Sequence, residues 1–163
     1  MFSRIERKET FTVVGTQVIA PCGEVPNPHI HPIVIKFFQN KDGVKNVVNQ
    51  TGYGIIFDQD KEKFTYVFGQ EVSKVEDIPE CMVTKEVEGF DYAVIAHKGL
   101  LKNLGEACKY FHETWLPQSG YEHVKERPFF EVYGKDFKGG DNEDSILEIY
   151  YPVKKIEGGE NPQ

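Results

Sequence analysis

The sequence predicts an α+β domain built from two copies of a β-α-β-β unit. Each half of the chain begins with an apolar strand, roughly at residues 11–20 and 90–99, and each strand is followed by a helical segment. Two further strand-like runs follow each helix and form a hairpin. The same order of elements therefore recurs at about residues 8–72 and 84–155. This duplication predicts two antiparallel sheets with helices on one side and a central ligand cleft.

The elements of the first copy follow from local sequence. FTVVGTQVIA has the β-branched content of a strand. The helix, at about residues 30–39, begins among Pro26, Pro28 and Pro32, which suit a helix start, although the run IVIKFF fits a strand equally well. The hairpin consists of GYGIIFDQ, the turn DKEK and FTYVFGQEV, and residues 73–80 connect the two copies.

The second copy contains the clearer helix. After the strand FDYAVIAHKG, apolar residues recur at three- and four-residue spacing, as in an amphipathic helix. They are Leu101, Leu104, Cys108, Phe111 and Trp115. Pro117 and Gly120 end this helix. The hairpin runs from PFFEVYGKDF through the loop KGGDNED to SILEIYYPVKK. We expect residues 1–156 to form a single domain and residues 157–163, EGGENPQ, to be a disordered tail.

Composition excludes several classes of protein. The chain has 163 residues, of which 39% are hydrophobic and 13% aromatic, so it can form a core as one domain. The net charge of -7 and the lack of a Lys/Arg cluster argue against direct nucleic-acid binding. We expect no membrane contact, because no segment has the length of a membrane span and MFSRIERKETF has no signal core. Three cysteines, an odd number, indicate reduced thiols and a cytoplasmic protein.

The candidate site lies on the last hairpin, where each strand carries a glutamate within an aromatic run. These are Glu131 in PFFEVYG and Glu148 in ILEIYYPV. Alternation along a strand places Tyr133 beside Glu131 and Tyr150 beside Glu148. We expect both carboxylates to face one ring-lined hollow, with the opposite face of the last strand packed on the core. The alternative is an open sheet face on which both glutamates are solvated.

Aromatic residues elsewhere extend this predicted hollow. Strand alternation in the first hairpin adds Tyr53, Tyr66 and Phe68 as candidate walls. Trp115, at the end of the second helix, either closes the helix stripe or presents its ring edge to the cleft. A carboxylate among rings has a raised pKa because it is desolvated. A cationic ligand offsets that cost and gains cation–π attraction, which predicts binding of flat, apolar or cationic compounds.

Other potential sites carry less weight. His29 and His31, with Cys22 nearby, have metal-ligating side chains, but their alternation among prolines is typical of a loop. We therefore predict no metal and no cofactor. The sequence contains no G-x-S-x-G motif and no phosphate-binding loop, so nothing in it fixes a catalytic residue.

The chain resembles the GyrI-like domain, the effector-binding module of multidrug-responsive regulators of the AraC and MerR types. The matching segments span about residues 8–155 and comprise FTVVGTQ, YGIIFD, YVFGQEV, YAVIAHKG, WLPQSGYE, RPFFEVYGKDF and SILEIYYPVKK. The resemblance implies the duplicated fold, a cleft between the lobes, and hydrophobic, often cationic ligands with an acidic counter-charge. Glu148 and Glu131 match the acidic position, and Tyr133, Tyr150 and Trp115 match the aromatic ones.

These observations lead to a functional expectation with stated alternatives. About ten residues precede the first strand, with no helix-turn-helix, so we expect a stand-alone binding protein that senses or sequesters small molecules. One alternative is a hydrolase that opens strained rings of electrophilic natural products. Another is an acidic protein that inhibits a DNA enzyme by binding it, and a third is a haem protein of the SOUL type. An edge strand could also pair with a second copy, and the sequence leaves the oligomeric state open.

Overall fold

The computed structural model describes residues 2–156, and the tail prediction for residues 157–163 lies outside them. The strands are β1 (Phe2–Lys8), β2 (Phe11–Pro21), β3 (Val47–Phe57), β4 (Lys63–Val72), β5 (Val83–Val87), β6 (Phe90–Lys98), β7 (Tyr121–His123), β8 (Phe129–Tyr133) and β9 (Ile146–Lys155). The α-helices are α1 (Ile30–Asn40), α2 (Gly105–Tyr110) and α3 (Leu116–Ser119). Single 3₁₀ turns, Lys41–Gly43 and Leu101–Asn103, follow α1 and precede α2.

The strands form one continuous antiparallel sheet in the order β1-β6-β9-β8-β3-β4-β2-β5, with β7 paired to β9. The α+β class is confirmed. Each half of the chain contributes a three-stranded block, β2-β4-β3 or β6-β9-β8, and the predicted two sheets are joined where β3 pairs with β8. The joint places the first strand of each half's hairpin, β3 or β8, at the centre of the sheet.

Two edge strands were not predicted from the sequence. β1 pairs with β6 of the second half, and β5 pairs with β2 of the first half, so each half supplies an edge strand to the other. Their sequences, FSRIERK and VTKEV, are short and charged, and their residues are exposed or half-buried except for Val87, which is buried. Such sequences lack the long apolar alternation that indicates a strand, and pairing to a neighbour is what orders them.

The helices form because each buries an apolar stripe against the sheet. The ambiguous IVIKFF run lies within α1, where Phe37 is fully buried, and Thr16 Oγ1 donates a hydrogen bond to the carbonyl of Ile33 at 2.6 Å. In the second half, α2 continues through a π-helical turn, Phe111–Trp115, into α3. Gly120 then ends α3 with a φ of 77°, as expected for a left-handed helix cap. No helix within the described residues is long and apolar enough to cross a membrane.

Both faces of the sheet are buried. One face packs against the helices, with Phe37 at the centre of the first half and Phe111 in the second. On the other face, the Phe130 ring lies 5.3 Å from Phe11 and 5.1 Å from Tyr92, although the three residues come from β8, β2 and β6. These strands are not neighbours, so the sheet curls inward on this side and fills its concave face with its own side chains. The helix-bearing face leaves room for a cavity of about 1190 Å³, and a smaller one of about 650 Å³ lies beside Glu148 on the concave face.

Candidate functional site

A cavity of about 1190 Å³ opens on the helix-bearing face, between the helices of the two halves. Its floor is formed by the central strands of the sheet. Wall residues come from α1, from α2 with the residue before it, and from the sheet, and include Val34, Phe38, Leu104, Cys108, Phe68 and Tyr151. The loop from Cys22 to Pro28 forms part of the rim. The volume exceeds the roughly 300–1,000 Å³ typical of small-molecule pockets, so a ligand with several rings can enter.

Glu131 lies on the floor of the cavity, on β8. The hydroxyl of Tyr66 donates a hydrogen bond to its Oε1 at 2.8 Å, and the hydroxyl of Tyr133 donates to the same atom at 3.0 Å. Its Oε2 accepts no hydrogen bond from the described side chains or backbone. One carboxylate oxygen is thus fixed by two tyrosines, and the other remains available to a ligand.

Gly54 makes this arrangement possible. It lies directly opposite Glu131 in the β3–β8 pairing. A Cβ at Gly54 would lie 2.0 Å from the hydroxyl oxygen of Tyr66 and 2.8 Å from Oε1 of Glu131. Real contacts do not become this short, so a side chain at this position would displace the two groups that hold the carboxylate.

Burial controls the protonation of this cluster. Desolvation raises the pKa of Glu131, although its hydrogen bonds from Tyr66 and Tyr133 act in the opposite direction. Desolvation, with the nearby Glu131 charge, also raises the pKa of Tyr66 and of Tyr133 well above that of a free tyrosine. Both tyrosines therefore stay protonated and donate to the carboxyl group of Glu131, whose charged form is disfavoured by burial and favoured by these two hydrogen bonds.

Aromatic rings surround the carboxylate. The ring of Tyr133 lies 5.6 Å from Phe68 and 4.8 Å from Phe137, in edge-to-face arrangements. On the α1 side, Phe38 lies 5.8 Å from Phe68 and remains 54% exposed. On the opposite side, Tyr151 stacks on Phe129 at 5.4 Å. The cavity therefore presents ring faces and edges on two sides of one acidic group.

The prediction that Glu148 shares this cavity with Glu131 is wrong. In the β8–β9 pairing, Glu131 lies opposite Ile149, whereas Glu148 lies opposite Val132, so the two glutamates point to opposite faces of the sheet. Glu148 accepts a hydrogen bond from Arg4 of β1, in an ion pair. The side chain of Ile149, not that of Glu148, faces the cavity.

Two aromatic candidates, Tyr150 and Tyr53, also lie on that opposite face. Tyr150 shares the face of Glu148, and its hydroxyl donates to Oε2 of Glu6 at 2.8 Å. The ring of Tyr53 lies 5.1 Å from the ring of Phe11, in the core of the concave face. In the β3–β4 pairing, Tyr66 lies opposite Ile56, and Tyr53, three residues earlier on β3, points to the other face of the sheet. The sequence shows which residues of one strand share a face. Only the register between paired strands shows which residues of two different strands lie on the same face of the sheet.

The other candidates are placed as follows. Tyr66, Phe68 and Tyr133 line the cavity together with Glu131. Trp115 packs beside Phe111 at 5.6 Å and closes the helix stripe, which was the first of its two interpretations. Among residues 2–156, no group of three or more histidine, cysteine or acidic side chains is close enough to hold a metal ion.

Several cavity residues were missed by the sequence analysis. Phe38 follows Val34 by one helical turn, and both face the cavity from α1, a spacing that is visible in the sequence. Gly54 carries no comparable signal, because its importance depends on its cross-strand partner. Cys108 was assigned to the helix stripe, yet it also lines the cavity.

Comparisons with known proteins identify the family to which this chain belongs. The family described as Cass2, integron-associated effector binding protein, matches residues 4–153. The transcriptional regulator BrlR of Pseudomonas aeruginosa is 29% identical over 154 residues, which cover 94% of this chain and 56% of the regulator. This chain thus spans about half the length of that relative.

Solved structures share the fold. The structure of SAV2435 bound to tetraphenylphosphonium has a TM-score of 0.75 at 20% identity, and the match covers 100% of both chains. The EcmrR–DNA complex has a TM-score of 0.70 at 17% identity and is matched over 95% of this chain and 58% of EcmrR. The family match over nearly the whole sequence confirms the predicted resemblance: this chain belongs to the Cass2 family of GyrI-like effector-binding domains.

Proposed function

We propose that this domain binds apolar organic cations that carry aromatic rings, and that Glu131 supplies the counter-charge. The observation that carries the proposal is the partly buried carboxylate with one oxygen fixed by Tyr66 and Tyr133 and the other open to a cavity of about 1190 Å³. A partly compensated negative charge in an apolar site is costly, and a cation offsets that cost.

The walls favour ring-bearing ligands with a delocalised or quaternary charge. Such cations are weakly hydrated, gain about 0.5–2 kcal/mol from each well-placed ring, and stack on the aromatic walls. The net charge of -7 also raises the local concentration of cations around the protein. SAV2435, whose structure contains tetraphenylphosphonium, has the same fold, which supports this ligand class.

Binding of this kind fits a module that senses or sequesters drug-like compounds. Relatives with this domain include a transcriptional regulator that extends beyond the matched region. The broad, ring-lined cavity favours tolerance of ligand shape, with charge as the main criterion for selection. In this proposal the ligand is recognised by its positive charge and its rings rather than by a pattern of hydrogen bonds.

A pair of ions with the same shape tests the proposal. Tetraphenylphosphonium and tetraphenylborate both present four phenyl rings but carry opposite charges. In calorimetric titrations at neutral pH, we expect the cation to bind at least about a hundredfold more tightly than the anion, or about 2.7 kcal/mol. Equal binding of both ions would show that the rings alone determine affinity and would refute a role for Glu131 as counter-charge.

A further inference from the structure

The wall of the cavity on α2 carries a nucleophilic side chain that cation binding does not use. Cys108 lines the cavity, and His112 follows it by one helical turn. Nδ1 of His112 lies 3.7 Å from the Cys108 sulfur. Tyr151, on β9, lines the same cavity as Cys108.

The position of the His112 proton follows from a second contact. Nδ1 also lies 3.0 Å from the carbonyl oxygen of Cys108. A carbonyl oxygen only accepts, so Nδ1 carries a hydrogen and can donate it toward the sulfur as well. A donor next to sulfur stabilises the thiolate, and His112 accordingly lowers the pKa of Cys108. The hydrogen bond to Cys108 raises the pKa of His112 in return.

The other cysteines provide an internal comparison. Cys22 also lines the cavity, but its sulfur contacts the carbonyl of Asp60 at 3.6 Å and the side chain of Gln59 at 3.8 Å. Within residues 2–156, neither Cys22 nor Cys81 forms a hydrogen bond with a histidine. Both Cys22 and Cys108 therefore line the cavity, but only Cys108 has an imidazole N–H beside its sulfur.

We propose that Cys108 and His112 form a reactive pair that captures apolar electrophiles covalently inside the cavity. The inference rests on the proposed function in one respect, that the cavity admits apolar, ring-bearing compounds. The ligand class is the α,β-unsaturated carbonyl compound with an aromatic substituent, which the ring-lined walls hold beside the sulfur.

The reaction is an addition with no leaving group. The Cys108 thiolate attacks the β-carbon and forms a carbon–sulfur bond, while the electron pair of the carbon–carbon double bond moves to the α-carbon and carbonyl. The thiol gives up its proton to solvent, the Nδ1–H of His112 stabilises the thiolate as a donor, and the resulting enolate takes a proton from water at its α-carbon. The product has the summed mass of protein and electrophile, and no oxidant or reductant takes part.

N-phenylmaleimide, an aryl electrophile of this class, provides the test. The folded protein is treated with limiting reagent at neutral pH, and the modification rate of each cysteine is followed by peptide mass spectrometry. We expect Cys108 to react at least about tenfold faster than Cys22, and His112→Gln to slow Cys108 by about tenfold without affecting Cys22. Equal rates at Cys108 and Cys22, or no effect of His112→Gln, would overturn the inference.

Tetraphenylphosphonium separates this inference from the proposed function. If the cation binds and slows N-phenylmaleimide at Cys108, both stand, because the two ligands compete for one cavity. If Cys108 shows the His112-dependent rate but the cation does not bind, the reactive pair stands and the proposed function fails. If the cation binds while Cys108 reacts at the rate of Cys22, the proposed function stands and the reactive pair fails.

Discussion

Glu131 is held by contacts that fix one of its oxygens and leave its charge incompletely balanced. The hydroxyls of Tyr66 and Tyr133 converge on Oε1, and Gly54 leaves the space in which they meet. Two neutral donors stabilise the carboxylate less than a cation would, and burial still raises its pKa. At the scale of single residues, the site is thus a charged group prepared for a partner that the protein does not supply.

The affinity for a cation is expected to depend on pH through Glu131. Because the pKa of unliganded Glu131 is raised, the carboxyl group takes up a proton at a higher pH than an ordinary glutamate, and the neutral form no longer attracts a cation. Affinity for tetraphenylphosphonium should therefore be constant above this pKa and fall as the pH is lowered through it. Titrations between about pH 8 and about pH 4 measure the profile. A Glu131→Gln variant with the same pH profile would contradict the assignment.

Substitution of Gly54 is expected to disrupt the cluster. In Gly54→Ala, the new methyl group occupies the space of the Tyr66 hydroxyl, and overpacking of this kind costs about 1–3 kcal/mol of unfolding free energy. Affinity for tetraphenylphosphonium should fall as well, because Tyr66 and Glu131 must move. Gly134→Ala is the matched control at the rim of the cavity, since a Cβ there meets no atom within 4 Å. Urea unfolding and titration of both variants distinguish them, and equal effects would argue against the role given to Gly54.

Elements determine which side chains reach the cavity. The strands β2 and β6 and the stripe of α2 are apparent from the sequence, because their apolar patterns are local. The placement of Glu131 and Glu148 on opposite faces is not, because it depends on the pairing of β8 with β9. The prediction for Tyr53 failed for the same reason in the first hairpin. Alternation fixes the relative orientation of side chains within one strand. The hydrogen-bonded register determines which side chains of two paired strands lie on the same face of the sheet.

Helix α1 is expected to contribute binding affinity through Phe38. The ring lines the cavity and is 54% exposed, so its removal costs little stability while a ring-bearing cation loses one contact. For Phe38→Ala we expect affinity for tetraphenylphosphonium to fall by about 1 kcal/mol, or roughly fivefold. Ile35→Ala provides the control on the same helix, because Ile35 has a similar exposure of 44% and does not line the cavity. A larger loss for Ile35→Ala than for Phe38→Ala would place the ligand elsewhere.

The whole molecule joins its two halves in two ways. At the centre, β3 pairs with β8 under the cavity, and at the edges β1 and β5 each pair with the opposite half. The duplication was predictable because strand, helix and hairpin recur in the same order. The exchanged edge strands were not, because short charged segments gain their structure from a partner that is distant in sequence. Glu148, one of the two glutamates predicted for the site, belongs to this edge connection through its ion pair with Arg4.

The edge connection is expected to support stability rather than ligand binding. Arg4 contacts Glu6, Glu148 and Tyr150, and its side chain is 35% exposed, so Arg4→Ala should lower the unfolding free energy by about 1 kcal/mol. Arg7, on the same strand, pairs with Asp91 at 3.7 Å and is 56% exposed, so Arg7→Ala should change stability by only a few tenths of a kcal/mol, about 0.3. Urea unfolding compares them. Loss of tetraphenylphosphonium binding in a folded Arg4→Ala variant would contradict the separation of edge and cavity.

The most direct measurement is a parallel titration of tetraphenylphosphonium into the wild type, Glu131→Gln and Glu148→Gln. Both substitutions remove one negative charge from adjacent strands and keep the size of the side chain, but only Glu131 faces the cavity. We predict that Glu131→Gln weakens binding by about tenfold or more, at least about 1.4 kcal/mol, and that Glu148→Gln leaves it unchanged. Unchanged affinity in Glu131→Gln, or a loss confined to Glu148→Gln, would contradict the account.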